Sequence, residues 1–278
     1  MTITKNKAVK YLVLLIVSLL LMLFGSVLIT PFALMIFKSV GGYGNETITE
    51  AVNALQNYFS TDKYNDAMTW AEYAQTFFEA DPVLFNNTKT FYCALQFFSY
   101  IPLLIVIIFF LREEFAEDFI DFKKNIKKNL IYIGLGIVAM YVCSYIVVII
   151  YEIIGVTGNS ANESLINLLL DSSGAALMIV AVVILAPISE EVIFRKLLMG
   201  TCEKTFHFPP TVAIIVSALV FSFIHVTDLA SLKFIFQYIA LALPICIVYH
   251  YSNNNIYVTM IMHFINNLIS VILTMATL

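Results

Sequence analysis

Seven stretches of this chain, at about 11–37, 90–111, 130–154, 173–199, 210–227, 233–251 and 256–277, are almost continuously apolar. A helix needs roughly 20 such residues to cross a bilayer core, so these lengths restrict the chain to a helical membrane protein. Composition agrees, because 60% hydrophobic and 12% charged residues with a mean hydropathy of +0.89 lie far from a soluble domain. The expected fold is all-α, a polytopic transmembrane helical bundle of about seven spans, or eight. A net charge of -4 and the absence of a basic stripe argue against nucleic acid as a partner.

The polar segments set the orientation. Lys5, Lys7 and Lys10 precede the first span, and Lys123, Lys124, Lys127 and Lys128 fall in 112–129. The segment 39–88 carries Glu46, Glu50, Asp62, Asp66, Glu72, Glu79 and Asp81 against Lys63. The positive-inside rule then puts the N-terminus, 112–129 and a loop near Lys196 and Lys204 in the cytoplasm, with 39–88 outside. Within 39–88, residues 51–59 and 68–78 have the apolar spacing of short amphipathic helices, resting on the bilayer or the bundle. The first apolar run is too long for a signal-peptide core, which predicts a retained anchor. Cys93, Cys143, Cys202 and Cys246 form no CxxC or Cys/His cluster and read as reduced packing residues. His207 and His250 fall at interfacial positions, and Asp228 and Lys233 bracket a short connection near water; none of the four is expected to take part in chemistry.

Against this background the polar residues inside apolar sequence stand out, since charge at bilayer depth costs several kcal/mol. Glu190, Glu191 and Arg195 lie in the fourth stretch, His225 at the end of the fifth, and His263 and Asn267 in the last. The fourth helix should begin after 171–174, with Asp171 or a serine as its cap, and Pro187 should loosen it just before Glu190. Glu191 and Arg195, four apart, suit a salt bridge, while Glu190 points about 100° away with no such partner. His263 and Asn267 are also four apart and share a face at a depth matching Glu190, whereas His225 lies about 22 Å along its helix, deeper than the others. Solvated helix ends or plain interhelical hydrogen bonding would account for each feature taken singly.

Together they suit hydrolysis. Burial makes a carboxylate a stronger base, so Glu190 with His225 could activate water to attack a peptide carbonyl. His263 and the Asn267 amide could donate to the oxyanion that develops. No GxSxG elbow and no HExxH helix is present, so neither a covalent mechanism nor a familiar zincin site is indicated.

EExxxR at 190–195, FxxxH at 221–225 and HxxxN at 263–267, in that order, resemble the CPBP family of intramembrane proteases, which includes type II CAAX prenyl endopeptidases and bacterial Abi proteins. The likeness spans roughly the last third of the chain, and no motif residue departs from the pattern. It divides the chain into 1–165, a membrane region with three spans and the 39–88 loop, and 166–278, a catalytic core. The resemblance implies an active-site cavity within the membrane, with Glu190 as base, His225 as its water partner, and His263 and Asn267 as oxyanion donors. Glu191, Arg195 and Phe221 would support them, and no cofactor is required. The implied substrate is a membrane-associated protein or peptide, either lipid-modified or an unprenylated, bacteriocin-related one. The Asn/Lys/Ile-rich composition favours a bacterial cytoplasmic membrane, with lipid as the other partner.

Two other readings stay open. Glu190, His225 and His263 could bind a divalent metal, zinc first, since two histidines and a carboxylate suit a catalytic site. Alternatively the buried polar groups could line an ion or proton path in a non-enzymatic transporter or scaffold, although no inverted repeat is visible.

Overall fold

A computed structural model describes residues 2–41, 43–60, 63–226 and 229–277. Ten helices account for most of them, and the one strand-like feature among them is an isolated bridge between Lys63 and Thr69. In chain order they are α1 (Thr2–Gly41), α2 (Asn45–Gln56), α3 (Trp70–Ala80), α4 (Pro82–Lys124), α5 (Ile126–Ile154) and α6 (Ala161–Leu170). There follow α7 (Ala175–Lys204), α8 (Pro210–Ile224), α9 (Ile235–Tyr251) and α10 (Ile256–Met275). Among the described residues, six helical stretches are long and apolar enough to cross a membrane, namely parts of α1, α4, α5, α7, α9 with the turn before it, and α10. The remaining expected span is α8, apolar but only 15 residues long. The protein is an integral membrane protein built as a polytopic helical bundle.

The two longest helices set the frame. Helices α1 and α4, of 40 and 43 residues, pack along each other. At 1.5 Å per residue each is about 60 Å or more, twice a hydrocarbon core of about 30 Å. The segment 112–129 is therefore not a loop. Helix α4 continues through it to Lys124, the chain turns at Asn125, and α5 starts at once. Lys196 and Lys204 likewise lie on α7 rather than in a loop. Buried Lys196 pairs with Asp118 of the α4 extension, and Lys10 with Glu114 at 2.9 Å. The Asn255 amide donates to the Asp118 carbonyl at 2.7 Å while its Oδ1 accepts from the Tyr257 N–H, which fixes the start of α10.

At the other end of α1, the two amphipathic helices expected in 39–88 are α2 and α3. A capping box starts α3, because Thr69 accepts from the Glu72 N–H and the Glu72 carboxylate accepts from the Thr69 N–H. These bonds hold the Glu72 carboxyl below the usual carboxylate range. The apolar faces of α2 and α3 (Ile48, Leu55, Phe78) pack on α4 and share one buried cluster with its Leu84 and Phe91 and with Leu169 and Leu170 of α6, a helix the hydropathy pattern does not announce. Lipid is as apolar as leucine, so cohesion among the spans rests on close packing and buried polar contacts. Gly174 shows how close the approach is: a Cβ there would sit 2.8 Å from Cys93 Cβ and 2.9 Å from Thr90 Cα. Gly174 is also the N-cap of α7, with no side-chain cap from Asp171 or a serine; the Ser172 hydroxyl accepts from the Gly174 N–H instead.

Helix α7 changes register twice, with π-helical turns at Ala181–Leu185 and Val192–Met199 flanking an α-helical piece, Ala186–Glu191. Pro187 explains the first. The Ala186 N–H bonds to the Ala181 carbonyl, so the next bond in that register, to Val182, would need an N–H that proline lacks. The Val182 carbonyl is left to a partner from outside the helix.

Candidate active site

That partner is Asn267, whose amide donates to the Val182 carbonyl at 2.9 Å. The bond ties α10 to the loosened turn of α7 and sets the rotation of the two helices about each other. One turn earlier on α10, buried His263 faces both glutamates. Its Nδ1 lies 2.8 Å from Glu191 Oε1, and its Nε2 lies 3.8 Å from Glu190 Oε2. His225 places its Nε2 3.9 Å from the same Glu190 oxygen.

The placement of His225 follows from the short α8. The helix ends at Ile224, and His225 is its C-cap, where Nδ1 lies 2.8 Å from the Phe221 carbonyl. Its depth of about 22 Å is then no anomaly, because a 15-residue helix stops inside the bundle instead of crossing it. With Nδ1 of each ring on a protein oxygen, both Nε2 atoms are turned toward Glu190. Glu190 and His263 are each 6% exposed, and His225 is half-buried. Two imidazoles, one at the end of α8 and one on α10, thus converge on one carboxylate oxygen of α7.

Glu191 and Arg195 are wholly buried, with Arg195 Nε 3.2 Å from Glu191 Oε2, the pairing the i, i+4 spacing predicts. The contact is off the hydrogen-bond line, and the other guanidinium nitrogens have no hydrogen-bond partner. The cation instead lies 4.8 Å over the Phe221 ring. Phe221 also meets Phe194 edge-on at 5.2 Å, His225 at 4.3 Å and His263 at 6.0 Å, so this one ring buttresses both histidines and the arginine.

Two residues of the site carry no sequence motif. Tyr238 of α9 packs its ring 5.0 Å from His225, and its hydroxyl pairs with Ser160 at 2.6 Å. Tyr100 of α4 lies within electrostatic reach of Glu190. His207 is an exposed connecting residue with φ 56°, His250 lies at the end of α9, and Lys233 is exposed on the turn before it. Asp228 falls outside the described residues.

Two imidazoles and a carboxylate are donors of the kind zinc takes. Among the described residues, however, no group of three or more His, Cys, Asp or Glu side chains is arranged to hold a metal ion. No step below is routed through a metal.

Residues 172–269 match the family described as type II CAAX prenyl endopeptidase Rce1-like. Comparison with curated proteins and with solved structures gave no match. The matched segment begins at the turn before α7 and includes Glu190, His225, His263 and Asn267. The match covers about a third of the chain, and over that segment the chain is similar to the CAAX (CPBP) family of intramembrane proteases, which supports an intramembrane peptide hydrolase in general.

Proposed function

We propose that the protein is a metal-free intramembrane endopeptidase in which Glu190 is the general base. The observation that carries this reading is the convergence of His225 Nε2 and His263 Nε2 on Glu190 Oε2 at 3.9 and 3.8 Å. Those separations exceed a direct hydrogen bond and suit a bridging water. Glu190 takes the proton as the water attacks a peptide carbonyl, then returns it to the leaving amine. His225, its Nδ1–H spent on the Phe221 carbonyl, accepts from the same water through Nε2 and aims it.

His263 stabilises the oxyanion through Nε2. Its Nδ1–H already faces Glu191, so donation from Nε2 requires a proton on both nitrogens, and the Glu191 carboxylate balances that charge. Glu191 is in turn paired with Arg195. Asn267 spends one N–H on Val182 and has a second to offer. The substrate is a peptide segment lying in or on the membrane, and the apolar surroundings of Glu190 exclude bulk water from the reacting carbonyl. Of the substrate classes, we favour an unprenylated peptide handled at a bacterial cytoplasmic membrane, with the N-terminus of the chain in the cytoplasm. That orientation rests on the lysines flanking α1 and α5.

The test is cleavage of a panel of quenched peptides, with and without a prenylated cysteine, by the purified protein in detergent. Cleavage lost on Glu190→Gln supports the reading. Selective cleavage of the prenylated set would overturn the substrate preference while keeping the enzyme.

A further inference from the structure

The end of the bundle farthest from Lys7 and Lys204 holds a slot of about 470 Å³ that the proteolytic reading does not use. One wall is the polar face of α2, which supplies the carboxylates of Glu46 and Glu50. The other is aromatic. Tyr64 stacks on Tyr73 with ring centroids 4.0 Å apart, and Trp70 meets both rings edge-on at 4.7 and 5.8 Å. This wall is held in place on both sides. The Tyr64 and Asn65 N–H groups bond to the Met68 carbonyl, and the Asn65 side chain accepts from the Ala67 and Met68 N–H groups. That turn brings Tyr64 back beside Trp70 at the capped start of α3, and the Tyr73 hydroxyl donates to Glu50.

Aromatic faces attract cations through the ring quadrupole, and the attraction grows where the cation is partly desolvated. Carboxylates on the facing wall add a charge term that a neutral guest cannot use. The surrounding segment is acidic too, carrying Glu72, Glu79 and Asp81 in addition to the two slot carboxylates. We propose that this slot binds a small organic cation of the alkylammonium class, for which the trimethylammonium group of choline is the probe. The proposal is independent of the protease chemistry, since the slot and Glu190 lie on different parts of the bundle.

Trp70 is the one tryptophan of the chain, so tryptophan emission reports on this slot directly. The experiment titrates the full-length protein in detergent with choline chloride, at ionic strength held constant with sodium chloride, against the neutral isostere dimethylbutanol. A saturable change with choline and none with dimethylbutanol is expected, and Glu46→Gln and Tyr64→Leu should each weaken it by roughly tenfold. Glu46 takes no part in the Tyr73 bond, and an unfolding midpoint equal to the parent's shows that a variant has kept its fold. Nanodiscs separate free cations from lipid headgroups as the source: competition by phosphatidylcholine but not phosphatidylglycerol discs identifies a lipid choline, and equal binding in both identifies a free one. An emission change that is absent, shared by dimethylbutanol or unaltered in both variants would overturn the proposal.

Discussion

His263 Nδ1 faces Glu191 at 2.8 Å, while the same ring's Nε2 faces Glu190 at 3.8 Å, so one imidazole lies between two adjacent carboxylates of a single helix. The two glutamates thereby differ in kind. Glu191 is buried behind the ring and tied to Arg195, and in the proposed mechanism it orients the imidazole; Glu190 is the carboxylate in front of it. Replacement of Glu191 by Gln should lower kcat by about 10- to 100-fold, by analogy with carboxylates that orient metal-bound histidines. The pH–rate profile should move with it, because the charge that balances a doubly protonated His263 is gone. An unchanged pH profile would show that Glu191 serves folding alone.

Arg195 is a buried cation paired with the Glu191 carboxylate and lying over the Phe221 ring, with the Cys246 thiol also in reach. Arg195→Ala leaves the buried Glu191 carboxylate with His263 alone as a charged partner, at a cost of up to about 3–5 kcal/mol. Arg195→Met combined with Glu191→Gln removes both charges and should recover most of that stability without recovering activity. Thermal unfolding in detergent distinguishes the outcomes, and a single Arg195→Ala variant as stable as the parent would contradict the pairing.

Much of this was legible in the sequence, for particular reasons. Spacing of four on a helix gave the Glu191–Arg195 pair and the shared face of His263 and Asn267, and amphipathic periodicity gave α2 and α3. What escaped depends on contacts distant in sequence. Glu191 and His263 are 72 positions apart, and nothing local marks Tyr238 as the neighbour of His225. Helix α4 beyond residue 111 was hidden because charged residues end an apolar run without ending a helix. Pro187 signalled a loosened turn, but the outcome, a π-helical register whose spare carbonyl is taken by Asn267, needed α10 in place.

That register gives a coupled prediction. Asn267→Ala leaves the part-buried Val182 carbonyl unpaired and should destabilise the protein by about 1–3 kcal/mol. Pro187→Ala restores an N–H that can take this carbonyl, so Asn267→Ala should cost less in the Pro187→Ala background. Additive losses in unfolding free energy would sink the link between the two residues.

Metal is a separate question with its own readout. In the proposed mechanism, prolonged chelation leaves peptide cleavage intact and the purified protein contains no stoichiometric metal. His263→Ala then removes about 3–4 kcal/mol of transition-state stabilisation with KM largely kept. One zinc per active chain, lost in His263→Ala, would overturn the metal-free reading.

The most direct measurement is turnover of a membrane-anchored quenched peptide by Glu190→Gln beside the parent, both reconstituted and equally folded. The substitution keeps the shape of the side chain and removes the base, so the proposed mechanism predicts a fall in kcat of roughly 10² or more. Turnover equal to the parent's would contradict it.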